Sequence, residues 1–504
     1  MSRPARPDGA LRPVERPARP VRSPGAEREG LAVPDAPEPR PPCRDARGAA
    51  PPHGRRARLD PRRQAAPPDG VRVRAQGRRR GPPGPGRAED HGQGAPDPVN
   101  VAQLLEAAAR DHADRTALVV GDRTWTYRDL DAACSVLAGR LARLGLHPGD
   151  RIGLHLPNSA EFVLAYYAAQ KLGVVPLSLN VTYAADEIAY IVGDAAPTAV
   201  VTAATVAASL PPRDRMPSVR HVLHAEDLAS LEGAEPVHAL DRDRDETAAI
   251  LYTSATTGRP KGVMLTHANI VSNAWATVRH LGLTSADRGL CAVPMFHCFG
   301  QNFIMNALVT AGAQLVIQPR FVPDAFHDTV VRHRITLFYG VPAMYIVFLA
   351  MERALDFASI RLFFSAAAML PVDVERRWHE RYGRPITQGY GLTECSPFAA
   401  WNHDVRIRTG SVGTPIENVE MKVVDGEGRE VADGELGEIL INGPNVMKGY
   451  FGNPRATAEA IRNGWLHSGD IGYRDPDGYY FLVDRVKDMI NVAGFKVFPR
   501  EVEE

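Results

Sequence analysis

Between Leu251 and His267 the chain reads LYTSATTGRPKGVMLTH. Thr253, Ser254, Thr256 and Thr257 offer hydroxyls, Gly258 and Gly262 let backbone N–H groups approach a ligand closely, and Lys261 supplies positive charge. That inventory suits a polyphosphate. It is not the G-x-x-x-x-G-K-[ST] loop, because Arg259 and Pro260 separate Gly258 from Lys261 with no second glycine before the lysine. An ordinary P-loop nucleoside triphosphatase is therefore disfavoured. A loop of glycine, threonine and serine is often only a loop, so its surroundings must decide.

Those surroundings read as a strand and a helix. AAILYTS forms a buried strand ending at Ser254, and Thr266 caps a helix whose apolar face uses Ile270, Ala274, Val278 and Leu281, with a loop between. Upstream, a helix runs from about Tyr127 to Leu144 and stops at Gly145, and GDRIGLHL is the next strand. Short apolar runs such as VVPLSL, TAVVTA, QLVIQP, ITLFYG and RLFFSA then alternate with amphipathic segments. Strands alternating with helices indicate βαβ units around parallel sheets. After about Gly410 the pattern changes to two-residue alternation with Asp-Gly punctuation, as in VEMKVVDGEGREV and GELGEILINGP, which suggests antiparallel hairpins.

Composition bounds the function. A chain of 504 residues exceeds what one core serves, so more than one folded unit is expected. Lysine plus arginine equals aspartate plus glutamate at 59 each, so no global field favours nucleic acid or an anionic membrane. The five cysteines, Cys43, Cys134, Cys291, Cys298 and Cys395, form no CxxC pair, which argues against a disulfide framework or structural zinc and for a reducing cytoplasm. The apolar stretches Phe303 to Ile317 and Leu337 to Met351 are interrupted and fall short of the roughly 18 residues a span needs. No transmembrane segment is expected, and peripheral membrane contact is left open. From Met1 to about Pro96 there is no Phe, Trp, Tyr or Ile, and arginine and proline dominate, so this tail is expected to be disordered. Its arginine runs raise an RNA-binding alternative, which the balanced charge of the chain does not favour.

The stretches PMFHCFGQN, QGYGLTE, GELGEILINGPNVMKGY, GWLHSGDIG and DRVKDMINVAGFKVFPREVEE follow the opening loop in this order. With them the chain, from about Val99 onward, closely resembles the adenylate-forming superfamily, and within it the long-chain fatty-acyl-CoA synthetases. The resemblance implies an α/β fold: a large N-terminal adenylate-forming domain of parallel sheets flanked by helices, a β-rich subdomain, and a small C-terminal domain that is mostly missing here. The expected division is a tail over 1–96, an adenylation domain over 97–483, and over 484–504 the hinge with the start of the truncated domain.

The resemblance also implies a reaction. A carboxylate attacks the α-phosphorus of MgATP to give acyl-adenylate and pyrophosphate, and the thiol of coenzyme A then displaces AMP. The opening loop would grip the β- and γ-phosphates, with Thr253 near magnesium, Ser254, Thr256, Thr257 and Gly258 on the phosphates, and Lys261 as a mobile charge. Ala255 departs from the family's usual glycine, which costs about 1 kcal/mol if positive φ is needed there. In QGYGLTE, Gln388, Gly389, Tyr390 and Gly391 would form the adenine side, Thr393 the α-phosphate side, and Glu394 a magnesium ligand; a capping turn with a solvated glutamate is the alternative. Ala367, where glycine is common, would edge the adenine.

Asp470 would accept the ribose hydroxyls and Arg485 hold ribose and phosphate, against the alternative of a structural Asp-Arg pair. His297, at the end of an apparent strand, would line the acyl channel or be a core histidine, and is not assigned as a general base. Lys487 would be the hinge, and Gly494 would line the coenzyme A tunnel. Aliphatic acids of medium to long chain are favoured over aryl acids. The family's catalytic lysine is expected beyond Glu504, so both half-reactions are expected to be impaired in this chain. A non-catalytic binder of ATP or acyl-adenylate, and a fatty-acyl-AMP ligase that loads a carrier protein, remain as alternatives.

Overall fold

The computed structural model describes residues 99–228, 235–253, 259–403, 406–485, 490–492 and 495–497, within the compact unit His91–Glu504. The tail over 1–96, the loop residues Ser254, Ala255, Thr256, Thr257 and Gly258, and Lys487 and Gly494 lie outside the described residues.

Two large sheets carry the chain. The seven-stranded sheet runs in the order Gly449–Tyr450, Lys261–Thr266, Thr247–Thr253, Val175–Ser178, Arg151–His155, Ala199–Thr202, His221–His224. Its last five strands are parallel. Val175–Ser178 and Ala199–Thr202 are buried along their whole length, as parallel strands covered on both faces must be. The helix Ala160–Lys171 packs on this sheet, and every one of its residues except Glu161 is buried.

The nine-stranded sheet runs Thr414–Pro415, Ala400–Asn402, Ile386–Tyr390, Leu362–Ser365, Leu337–Gly340, Arg288–Cys291, Gln314–Ile317, Thr116–Val120, Arg123–Thr126, with antiparallel pairing only toward its edges. One face is sealed by aromatic rings: Phe363 and Tyr345 lie 5.2 and 4.9 Å from Trp378 of the helix Val372–Tyr382. A third, antiparallel sheet joins Glu420–Val424, Gly437–Asn442, Trp465–Arg474, Ile461–Arg462 and Tyr480–Arg485. The fold is mixed α/β with a β-rich subdomain, and no helix among the described residues is long and apolar enough to cross a membrane.

Two local expectations need correction. The opening stretch does not pass from a loop straight into a helix: Lys261–Thr266 is a strand, antiparallel to Thr247–Thr253, with Thr253 opposite Lys261. Alternation explains it, since Val263 and Leu265 are fully buried while Gly262 faces Tyr252, whose ring a Cβ there would press at 3.0 Å. The helix then begins as expected, its cap Thr266 accepting from the Asn269 N–H while the Asn269 side chain accepts from the Thr266 N–H. His297 also does not end a strand. The strand stops at Cys291, Pro294 lacks the N–H a ladder needs, and the His297 N–H closes a turn onto the Pro294 carbonyl at 3.2 Å.

Candidate active site

Three chain segments converge on the described end of the phosphate-type loop. Thr253 ends a parallel strand, the place where α/β sheets open toward ligands, and its antiparallel partner begins with Lys261. On the other edge of Lys261–Thr266 the short strand Gly449–Tyr450 pairs Tyr450 with Val263, and the Phe451 N–H donates to the Gly262 carbonyl at 2.7 Å. This register lays the Tyr450 ring beneath Lys261, whose Nζ is 4.9 Å from the ring centroid.

Glu394 arrives from the nine-stranded sheet, in the turn Thr393–Cys395 that follows the strand Ile386–Tyr390. It is tied twice to the Tyr450 segment: its backbone carbonyl accepts from the Met447 N–H at 2.8 Å, and its Oε1 accepts from the Tyr450 hydroxyl at 2.9 Å. Burial first, and the Glu394 carboxylate second, push the Tyr450 pKa upward, so the phenol is a donor at any working pH. The end of the loop is fastened from the opposite side, where the Tyr190 hydroxyl donates to the Pro260 carbonyl at 3.2 Å and the Arg259 guanidinium lies 5.3 Å from the Tyr190 ring.

A second pair involves Tyr390, the last residue of the strand Ile386–Tyr390. The Tyr390 hydroxyl donates to Asp470 Oδ2 at 2.7 Å, and the Asp470 N–H donates to Ser468 Oγ at 3.0 Å. Both residues are buried, and burial with the adjacent carboxylate holds the Tyr390 pKa well above its ordinary value. Strand register sets Arg485 directly opposite Asp470, although only its backbone is described.

The glycines of QGYG have steric reasons. A Cβ on Gly389 would stand 2.2 Å from Phe364 Cζ, and one on Gly391 1.5 Å from the Pro397 carbonyl oxygen. Gln388 is buried, its Oε1 3.4 Å from the Leu370 N–H, and its Nε2 has no hydrogen-bond partner among the described residues. Ala367 sits in the left-handed region at φ +69°, where glycine would be unstrained. Thr393 opens the turn that carries Glu394 and is half-buried.

His297 is exposed, yet enough protein surrounds it that desolvation lowers its pKa. Beyond His297, Phe299 leads into packed rings, with Phe303 4.6 Å from Phe364 and 4.9 Å from Phe398.

The structure thus brings together Thr253, Lys261 and Glu394, and separately Tyr390 and Asp470. Ser254, Thr256, Thr257, Gly258, Lys487 and Gly494 fall outside the described residues. Tyr450 carried no assigned role in the sequence reading, although it closes the NVMKGY stretch. Its signal was the aromatic residue itself, but nothing local says that Lys261 and Glu394 meet there.

Among the described residues no cluster of three or more His, Cys, Asp or Glu could hold a metal. One carboxylate and a threonine hydroxyl do fit magnesium, which takes few protein oxygens and fills its shell with phosphates and water.

A family model described as AMP-binding enzyme matches residues 105–451. A feruloyl-CoA synthase from Amycolatopsis sp is 35% identical over 404 residues, covering 78% of this chain and 80% of that protein. A long-chain-fatty-acid–CoA ligase from Salmonella typhimurium is 32% identical over 452 residues, covering 80% of each. The ATP-bound structure of MatB from Rhodopseudomonas palustris superposes with a TM-score of 0.75 at 31% identity, covering 80% of this chain and 82% of that one.

Proposed function

The chain belongs to the AMP-binding enzyme family of adenylate-forming acyl-CoA ligases, and from that premise we propose that it activates a medium- to long-chain fatty acid with ATP and passes the acyl group to coenzyme A. The observation that carries the reading is the convergence of Lys261, Tyr450 and Glu394 beside Thr253 at the C-terminal end of a parallel strand.

In the first half-reaction a carboxylate oxygen forms a bond to the α-phosphorus, and pyrophosphate leaves with the bond it breaks. Lys261 meets the charge of the β- and γ-phosphates, joined by the hydroxyls of Thr253, Ser254, Thr256 and Thr257 and the backbone at Gly258. Thr393 faces the α-phosphate, and Glu394 with Thr253 would hold magnesium, which offsets phosphate charge. Ala367 and the stretch Gln388, Gly389, Tyr390, Gly391 form the adenine side, and Asp470 with Arg485 takes the ribose. In the second half-reaction the coenzyme A thiol gives up its proton and attacks the acyl carbon, releasing AMP. In this reading 97–483 is the adenylating unit, 484–504 holds the hinge Lys487 and the tunnel residue Gly494, and the enzyme works in the cytoplasm.

His297 and the rings beyond it support an apolar acyl group. A second reading, an aromatic acid such as ferulate, is favoured by the similarity to feruloyl-CoA synthase. The test is acyl-AMP formation with MgATP and either fatty acids of graded length or hydroxycinnamic acids, before coenzyme A is added. Adenylate from fatty acids supports the first reading, adenylate from hydroxycinnamates alone replaces it with the second, and ATP binding without any adenylate replaces both with the non-catalytic binder of ATP.

A further inference from the structure

Tyr450 touches both charges that the ligase reading assigns to MgATP, and it is held rigidly enough to orient them. Its N–H donates to Thr457 Oγ1 at 2.8 Å, and Thr457 Oγ1 in turn donates to the Asn453 carbonyl at 2.9 Å. Strand pairing with Val263 and the Phe451 N–H on the Gly262 carbonyl fix the backbone on either side of the ring. Gly449 before it adopts φ +145°, and a Cβ there would meet the Thr457 side chain at 2.7 Å. The hydroxyl ends 2.9 Å from Glu394 Oε1 while the ring centroid is 4.9 Å from Lys261 Nζ.

We propose that Tyr450 is a positioning residue for magnesium-ATP: its hydroxyl aims the Glu394 carboxylate and its ring face stations the Lys261 ammonium. The inference rests on the ligase reading above. A phenol donates one hydrogen bond without cancelling a carboxylate's charge, and a ring face attracts an ammonium without supplying a counter-ion. The tyrosine therefore orders two opposite charges while leaving those charges to the metal and the phosphates.

Two variants separate the two contacts. Tyr450→Phe keeps the ring and loses the hydroxyl, whereas Tyr450→Leu loses both. ATP affinity is measured by calorimetry in magnesium and in EDTA, alongside the KM and kcat of acyl-adenylate formation. Tyr450→Phe is expected to weaken ATP binding about tenfold in magnesium, the worth of a hydrogen bond to a charged group, and to leave binding in EDTA unchanged. Tyr450→Leu is expected to weaken both. The rise in thermal midpoint caused by MgATP gives a second readout for any variant of reduced stability.

The proposal is overturned if Tyr450→Phe binds ATP like the unaltered protein in magnesium, or loses equally with and without it. If the unaltered protein binds MgATP with this dependence on Tyr450 but makes no acyl-adenylate, the ligase reading falls and the role of Tyr450 stands. If it binds no ATP at all, both fall.

Discussion

The hydroxyl of Tyr390 donates to Asp470 at 2.7 Å, joining the end of a strand in the nine-stranded sheet to a strand of the antiparallel subdomain. Both residues are buried, so the bond links the two sheets out of reach of bulk water. Tyr390→Phe would leave a buried carboxylate short of one donor. The expected loss is about 1–3 kcal/mol of stability, read by urea unfolding, with the ring and its packing retained. An unchanged unfolding free energy would contradict the role given to this bond.

That pair shows where sequence reading stopped. Tyr390 and Asp470 were each assigned to the nucleotide from their own motifs, but 80 residues separate them and no local pattern says that they touch. Local features were legible: Thr266 caps its helix, and Ile270, Ala274, Val278 and Leu281 are buried along one face. Lys261–Thr266 was missed as a strand because its opening Lys-Gly reads as loop, and its partner Tyr450 comes from a distant stretch. Contacts that depend on sheet order, such as Tyr450 with Lys261, appear only after folding.

Ala367 provides a test of backbone strain. At φ +69° its methyl group opposes a conformation that glycine adopts freely. Ala367→Gly should raise stability by about 0.5–1 kcal/mol, the relief of strain outweighing the larger entropy of glycine in the unfolded chain. A destabilised variant in denaturant titrations would mean that Ala367 does not hold this conformation in solution.

Acid should weaken the fold through two buried histidines. Burial pushes His155 and His267 down to about 4 from 6.5. His267 Nδ1 accepts from the Val101 N–H at 3.2 Å, a bond that protonation would abolish, and His155 lies between the hydroxyls of Thr202 and Ser209 at 2.9 and 3.2 Å. The unfolded chain therefore takes up protons first as pH falls. The stabilising contribution is complete above about pH 6.5 and is lost as pH falls toward 4, each unit of displacement being worth about 1.4 kcal/mol. Unfolding free energy measured across that window should decline, and His155→Gln should flatten part of the slope. A flat profile in the unaltered protein would show that these rings are not held neutral.

Glu394→Gln separates the metal from the fold. The backbone carbonyl of residue 394 still accepts from Met447, and the glutamine oxygen can still accept from Tyr450, so the thermal midpoint should move little. The charge, however, is gone, and magnesium prefers an anionic oxygen to an amide. Acyl-adenylate formation should fall about a hundredfold or more, the scale seen when a preorganised electrostatic group is removed. Raising magnesium should restore part of the rate, because the lost interaction is with the cation, while ATP binding in EDTA should hold or improve as one negative charge leaves the phosphate site. Equal activity at every magnesium concentration would remove Glu394 from the metal, and a rate loss that tracks unfolding would make it a structural residue only.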